Sequence, residues 1–127
     1  MLAAALVCDV AVADPGTGKK NLIGIFDRIS VGKFPAARPM AVYVKLADAE
    51  GHYDLVVKYV ERATNAELAR VDGRIEVKDR LMSMDLYISF PPLPIPRPGR
   101  YEFQIWADSV FIGSTFLDAK QRQPIKQ

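Results

Sequence analysis

Residues 101–116 read YEFQIWADSVFIGSTF, and they predict a β-hairpin. Apolar and polar side chains alternate on both sides of Asp108-Ser109, which is typical of two half-buried antiparallel strands joined by a two-residue turn. This turn sets Trp106 directly opposite Phe111. It also predicts an inward-facing set of cross-strand pairs: Ala107 with Val110, Ile105 with Ile112, Phe103 with Ser114, and Tyr101 with Phe116.

The opposite face of the hairpin carries aromatic side chains away from the predicted core. Trp106 and Phe111 are expected there, beside Gln104 and Thr115. Large aromatic side chains on a solvent face are unusual and can mark a binding surface. These four residues are the candidate interaction surface, for another protein or for a second copy of the chain. In the competing interpretation, the proline-rich segment or the N-terminal strand of the same chain covers the two rings.

Outward from this hairpin, the rest of the chain also reads as short strands. Alternating or continuous apolar runs are found at 6–12, 21–29, 40–46, 53–59 and 82–90. Turn-forming residues separate most of these runs, and no stretch predicts a helix of normal length. The chain is therefore expected to be all-β: an immunoglobulin-like, two-sheet antiparallel sandwich of seven to nine strands.

Three further features of the strand pattern are specific enough to test. The registers favour a hairpin joining 40–46 to 53–59, with Lys45 opposite Asp54, and another around Asp72-Gly73, with Leu68 opposite Val77 and Arg70 opposite Ile75. Gly24 within 21–29 indicates a central strand with a bulge or a close backbone contact. The proline run at 91–99 predicts an extended crossing between strands, because proline lacks the N–H that a β-ladder needs.

Length and composition indicate one globular domain of ordinary charge. The 127 residues suffice for one domain, expected at 1–118, with a frayed tail at 119–127. Half of the residues are apolar and a quarter are charged, which is ordinary for a globular chain. The net charge is +2 and the basic residues are spread along the chain, so no nucleic-acid partner is expected.

The first thirteen residues, MLAAALVCDVAVA, combine an apolar run with a signal-like ending. The run contains Asp9, has no preceding Lys or Arg, and is too short to span a bilayer. We therefore expect a retained strand, a cytoplasmic protein and no membrane span. Export remains the alternative if 1–13 is a signal segment. Cys8 is the sole cysteine, which excludes an intramolecular disulfide.

Three segments together resemble a family of small bacterial β-sandwich proteins. They are LVCDVAVADPGTGKKNLIGIFDRI, FPAARPMAVYVKL and FPPLPIPRPGRYEFQIWADSVFIGSTF. The resemblance covers nearly the whole chain. The family is a domain of unknown function, so the resemblance implies the fold and no functional residue.

Residues that could perform chemistry do not form a recognisable set. His52 is the only histidine, and Cys8 is expected to be a buried, inert thiol. Residues 16–20, GTGKK, lack the spacing of a phosphate loop, and the cluster of Asp48, Glu50 and Asp54 fits a solvated turn better than a calcium site. We therefore expect no catalytic residue, cofactor or metal. The sequence predicts a non-enzymatic protein-interaction module; the alternative is a sandwich that binds carbohydrate or lipid through its end loops.

Overall fold

Two β-sheets make up the protein in the computed structural model, which describes residues 1–123. The strands are β1 (Leu2–Ala13), β2 (Lys20–Ile25), β3 (Arg28–Val31), β4 (Ala36–Leu46), β5 (Gly51–Glu61), β6 (Ala66–Val77), β7 (Met84–Ile95), β8 (Gly99–Ala107) and β9 (Val110–Gln121). The sheet orders are β2-β1-β4-β7 and β3-β9-β8-β5-β6. The predicted all-β, two-sheet sandwich is confirmed. One described pair, β3 with β9, is parallel, so the larger sheet is mixed rather than wholly antiparallel.

The core lies between the sheets and comes from alternate residues of the long strands. At its centre the Tyr59 ring centroid lies 4.9 Å from that of Phe103 and 5.5 Å from that of Tyr101. Large aromatic side chains contribute much of the apolar area that a small domain removes from water. The aliphatic core residues around them include Val42, Val44, Leu46, Val57, Ile95, Ile105 and Leu117.

The last hairpin, β8–β9, has the predicted turn. Ala107 faces Val110 and Trp106 faces Phe111 across Asp108-Ser109. Both turn residues have positive φ, 47° and 65°, the geometry whose twist matches that of antiparallel strands. The aromatic pair is therefore a cross-strand pair, as the sequence predicts.

Beyond this pair a β-bulge in β9 shifts the register by one residue. Ile112 is the additional residue, so Leu117 rather than Phe116 enters the core opposite Tyr101. A bulge re-aims every side chain that follows it, because successive residues alternate between the two faces. Three predicted pairs are consequently wrong: Ile105 with Ile112, Phe103 with Ser114, and Tyr101 with Phe116.

The hairpin predicted between 40–46 and 53–59 is also wrong, because β4 and β5 belong to different sheets. Lys45 faces Asp85 on β7, and Asp54 faces Arg74 on β6. The apolar side chains of both strands do point into the core, but they face each other across it from opposing sheets. Alternation alone does not distinguish two strands that share one sheet from two strands on opposing sheets.

β6 passes straight through the predicted turn at Asp72-Gly73. Gly73 lies in the strand opposite Leu55, and the chain reverses instead at residues 62–65, where Asn65 has φ 60°. The predicted pairs of Leu68 with Val77 and Arg70 with Ile75 are therefore wrong. Tertiary pairing with β5 overrides the local turn preference of Asp-Gly, as context often does for strands.

The run at 21–29 divides into β2 and β3, which lie in different sheets, and β2 is an edge strand rather than a central one. The close contact predicted at Gly24 is present: its φ is 71°, and the Asp9 carboxylate occupies the place of a β-carbon. The backbone at this point therefore requires glycine.

The proline run and the chain end also depart from expectation. Pro91–Ile95 do not cross between strands but continue β7 along β4, with Leu93 opposite Arg38. β7 is an edge strand, where a missing N–H is tolerated. β9 continues past residue 118 to Gln121, and Ala119 within this extension is buried. The rest of the predicted tail, 124–127, lies outside the described residues.

The N-terminal ribbon, formed by 8–13 of β1 and all of β2, leaves the plane of its sheet. Residues 2–8 of β1 pair with β4, whereas 8–13 pair with β2. Lys20 Nζ in the ribbon lies 3.2 Å from Asp85 Oδ1 on β7, at the other edge of the sheet. Ala11 and Leu22 pack with Ala41 and Tyr87. The ribbon is therefore folded back across the outer face of the four-stranded sheet.

Candidate functional site

The aromatic pair of the last hairpin is held in a defined geometry. The ring centroids of Trp106 and Phe111 are 5.5 Å apart and their planes meet at 68°, an edge-to-face arrangement. The adjoining turn is fixed to β5, because the Asp54 N–H donates to Asp108 Oδ1 (2.8 Å) and the Asp108 N–H donates to the Asp54 carbonyl (2.9 Å). The pair is thus presented by an anchored turn.

The pair lies on the outer face of the five-stranded sheet and is open to solvent. Phe111 is 48% exposed and Trp106 is half-buried. Leu93 and Ile95 of the proline run are buried in the core between the sheets, and the N-terminal strand lies in the other sheet. Within residues 1–123, the cover considered in the competing interpretation is therefore not supplied by either segment.

A ladder of side chains along β8 fixes the indole ring. Trp106 Nε1 donates to Gln104 Oε1 (3.2 Å), and Gln104 Nε2 donates to Glu102 Oε1 (2.7 Å). Arg62 Nη1 donates to the same Glu102 oxygen at 3.2 Å. Glu102, Gln104 and Trp106 alternate along β8, so their side chains share the outer face. Gln104 therefore acts as the residue that orients Trp106.

β5 supplies the other wall of the site, which the sequence alone did not reveal. Lys58 Nζ lies 4.4 Å from the centroid of the Trp106 ring, within cation–π distance. A shallow groove of about 120 Å³ is lined by Val56, Lys58, Arg70, Trp106 and Ser109. Finding Val56 and Lys58 requires the β5–β8 pairing, which joins two strands that β6 and β7 separate in the sequence.

Thr115 does not belong to this surface. The bulge in β9 sets it opposite the buried Phe103, and it lines a separate hollow with Leu6 and Phe26. Thr115 was expected opposite Glu102, where Phe116 lies instead, and Ser114 lies opposite Gln104. The candidate surface therefore keeps Trp106, Phe111 and Gln104 and loses Thr115.

Further along the same face, Phe116 forms a second, smaller aromatic feature. It is 38% exposed, and the Arg100 guanidinium carbon lies 4.7 Å from its ring centroid. Arg100 also donates to Asp118 through Nε at 2.9 Å. Phe116 was predicted to be core, so this arrangement is another result of the bulge.

The residues considered for chemistry are dispersed. Cys8 is fully buried; burial, followed by the nearby Asp9 charge, raises the pKa of its thiol. Asp48 pairs with Arg80 and Asp54 with Arg74. Among residues 1–123, no three His, Cys, Asp or Glu side chains are gathered where they would hold a metal ion.

These observations define a β-sandwich domain with an open aromatic surface on its larger sheet. The chain belongs to the family of unknown function DUF6941, whose family model matches residues 3–120. The resemblance noted in the sequence is thereby confirmed. Among curated proteins, none matches this sequence. In residues 1–123 no helix has the length and hydropathy needed to cross a membrane.

Proposed function

We propose that the protein is a non-enzymatic interaction module that binds another protein through Trp106, Phe111 and Lys58. The observation that carries the proposal is the half-exposed Phe111 beside an indole ring already oriented by Gln104. Side chains fixed before binding lose little entropy on association, and Trp is enriched among residues that dominate binding energy. A second copy of the chain at this surface is the alternative occupant.

The shape of the site supports a protein partner over a small molecule. A groove of about 120 Å³ is well below the roughly 300–1,000 Å³ of typical small-molecule sites. The alternative of carbohydrate or lipid binding by end loops has less support. A hollow of about 410 Å³ at the β6–β7 loop, near 76–85, is lined by charged, polar and aliphatic residues and methionines without an aromatic ring.

Site-specific photo-crosslinking in cells tests this proposal. A photoreactive phenylalanine analogue at position 111 should give an adduct of defined mass, and Trp106→Ser should remove it without lowering Tm by more than a few degrees. Leu81 is the matched control, since it is 89% exposed but lies on the β6–β7 loop and does not line the groove at Trp106. Equal adducts from positions 81 and 111, or loss of folding in Trp106→Ser, would contradict the proposal. An adduct of twice the chain mass would identify a second copy as the occupant.

We also propose that the sandwich is of the immunoglobulin-like type. Tyr101 Oη donates to the Arg97 carbonyl at 2.6 Å, the back-bonding found in the tyrosine corner of such domains. The order β5-β8-β9 corresponds to the C-F-G order of their second sheet. Tyr101→Phe removes only this hydroxyl, so it should lower the free energy of unfolding by about 1 kcal/mol. Unchanged stability would argue against a corner role.

A cytoplasmic protein that keeps its first thirteen residues is a further proposal. Cleavage after Ala13 would remove β1, which lies between β2 and β4 and buries Val7 and Cys8. A reduced, buried thiol is also compatible with a reducing compartment. Mass spectrometry of the protein isolated from its own cells should detect the peptide containing Cys8. Its absence from otherwise complete peptide coverage would favour export.

A further inference from the structure

The solvent side of the N-terminal ribbon is apolar. Val10, Val12, Ile23 and Ile25 are 43–59% exposed, and the adjoining Leu6 is 37% exposed. Val10 lies directly opposite Ile23, and Val12 and Ile25 are each two residues from these along their strands, so the four share one face. Leu6 borders the same hollow as Ile25 and so adjoins this face. We call this surface the ribbon face.

The ribbon face departs from the usual pattern of an antiparallel sheet that has one solvent-exposed side. Such strands alternate apolar residues inward with polar residues outward. The side of the ribbon that faces the four-stranded sheet is already covered, because Ala11 and Leu22 pack on that sheet. The solvent side, which is the ribbon face, is nevertheless aliphatic. The anomaly is explained if this side, too, is covered in the assembled protein.

The ribbon face is also held in place. Lys20 Nζ contacts Asp85 Oδ1 at 3.2 Å, and Tyr43 Oη donates to Asp85 Oδ2 at 2.8 Å, which ties the ribbon to the sheet beneath. At the other end Arg38 Nη2 donates to Asp9 Oδ1 at 2.6 Å. A surface that is fixed in this way can associate with little loss of backbone entropy.

We propose that the ribbon face is the interface between two copies of this chain, related by a two-fold axis. Its five side chains leave on the order of 400 Å² of apolar surface per copy, within the range of functional patches on monomers. Two copies would thus bury on the order of 800 Å² of apolar area, about half of the ~1,600 Å² in a standard interface. A polar rim accounts for the remainder in interfaces of this kind.

Two features favour a second copy over a different partner. No charged side chain stands among Leu6, Val10, Val12, Ile23 and Ile25, so the patch is complementary to itself, as an isologous interface requires. The surface of the patch is also uneven: Leu6 and Ile25 border a hollow of about 320 Å³, which Asp27 also lines, while Ile23 is the most exposed residue of the ribbon face. A two-fold arrangement can set the projecting aliphatic row of each copy against the hollow of the other.

Light scattering on the full chain from 1 to 100 µM, as an order-of-magnitude range, tests the proposal. Wild-type protein should approach twice its mass of 14.1 kDa as the concentration rises. Replacing Ile23 and Ile25 by Thr, which keeps β-propensity, should weaken self-association at least tenfold while leaving Tm nearly unchanged. Trp106→Ser with Phe111→Thr is the control and should remain dimeric, which separates this inference from the proposed function. A monomer at all concentrations, or a dimer broken by the control pair instead, would overturn it.

A cross-linking measurement covers the case in which the threonine variant folds poorly. Ile23→Cys should give a covalent dimer with a bis-maleimide cross-linker that reaches across the interface, and the native Cys8 should not react because it is buried. Leu81→Cys, more exposed but on the β6–β7 loop, should cross-link far less. Equal cross-linking of the two variants would contradict the interface. Binding of wild-type monomer to anionic lipid vesicles through Ile23, without dimer formation, would assign the face to a membrane surface and also overturn the proposal.

Discussion

Leu2 of β1 lies over Gly113 of β9 so closely that its side chain fills the place of a β-carbon. Gly113 has φ 153°, a conformation that residues with side chains rarely adopt, and it lies next to the bulge in β9. The first and last strands, which belong to different sheets, therefore meet at a residue without a side chain.

Gly113→Ala should lower the free energy of unfolding by about 1–3 kcal/mol, because overpacking and an unfavourable φ act together. Urea denaturation measures the change. Gly73→Ala is the matched control, since no atom lies within 4 Å of its β-carbon position. Adding Leu2→Ala should recover part of the loss. Strictly additive effects of the two substitutions would show that Leu2 does not press on Gly113.

The bulged register makes neighbouring residues differ sharply in their contribution to stability. Leu117→Ala should cost about 2–5 kcal/mol, as for other fully buried aliphatic side chains. Phe116→Ala should cost less than half as much, because Phe116 is on the outer face against Arg100. Chemical denaturation of the two variants compares them directly. A larger loss of stability for Phe116→Ala would instead favour the register without a bulge, in which Phe116 is the core residue.

The link between ribbon and sheet should respond to acid. Burial tends to raise the pKa of Asp85, but hydrogen bonds from Tyr43 and Lys20, with the charges of Lys20 and Lys45, hold this pKa below its usual range. A lowered folded-state pKa stabilises the protein above the unfolded value, near pH 4, and that stability is lost as the pH falls through the folded-state pKa. Asp85→Asn should therefore lower Tm by roughly 1–5 °C at pH 7, and this difference in Tm should disappear as the pH falls through the folded-state pKa of Asp85.

Thermal melts of the wild type and Asp85→Asn from pH 7 to pH 2.5 measure how the difference in Tm changes with pH. Asp72→Asn serves as the control, because it removes a more exposed carboxylate that pairs with Arg70 on β6. Its effect on Tm should be smaller at neutral pH. A gap for Asp85→Asn that stays constant across the acid range would show that the charge on Asp85 does not hold the ribbon.

The C-terminal boundary can be tested by truncation. A chain that ends at Asp118 should lose several degrees in Tm relative to one that ends at Gln123. The shorter chain lacks Ala119, which is buried and faces both Ile29 and Gly99. Without the end of β9, β3 loses most of its partner. Equal melting temperatures would mean that 119–121 are dispensable, as the sequence suggested.

The sequence predicted those parts of the fold that depend on neighbouring residues. Alternation gave the strands and the inward side chains, and the Asp108-Ser109 turn gave the Trp106–Phe111 pair. The same alternation failed to tell a hairpin from a crossing between sheets. At 40–59 both arrangements bury the same side chains.

What the sequence missed lies in contacts between distant residues. The bulge at Ile112 lies next to Gly113, which meets Leu2 across the sandwich, and it places Thr115 off the candidate site. Lys58 reaches Trp106 only because β5 pairs with β8. The ribbon face escaped notice because its apolar residues read as an ordinary buried strand. Nothing local in 8–25 indicates that the ribbon folds back over its own sheet.

The position of β9 between β3 and β8 has a consequence for how the protein is made. Synthesis proceeds from the N-terminus, and β9 is the last of the described strands to leave the ribosome. Until then β3 has no partner and β8 presents an open edge, and unpaired edges of this kind invite pairing with other chains. The five-stranded sheet therefore closes only once residues 110–121 have been made, and its two halves depend on one late strand to join them.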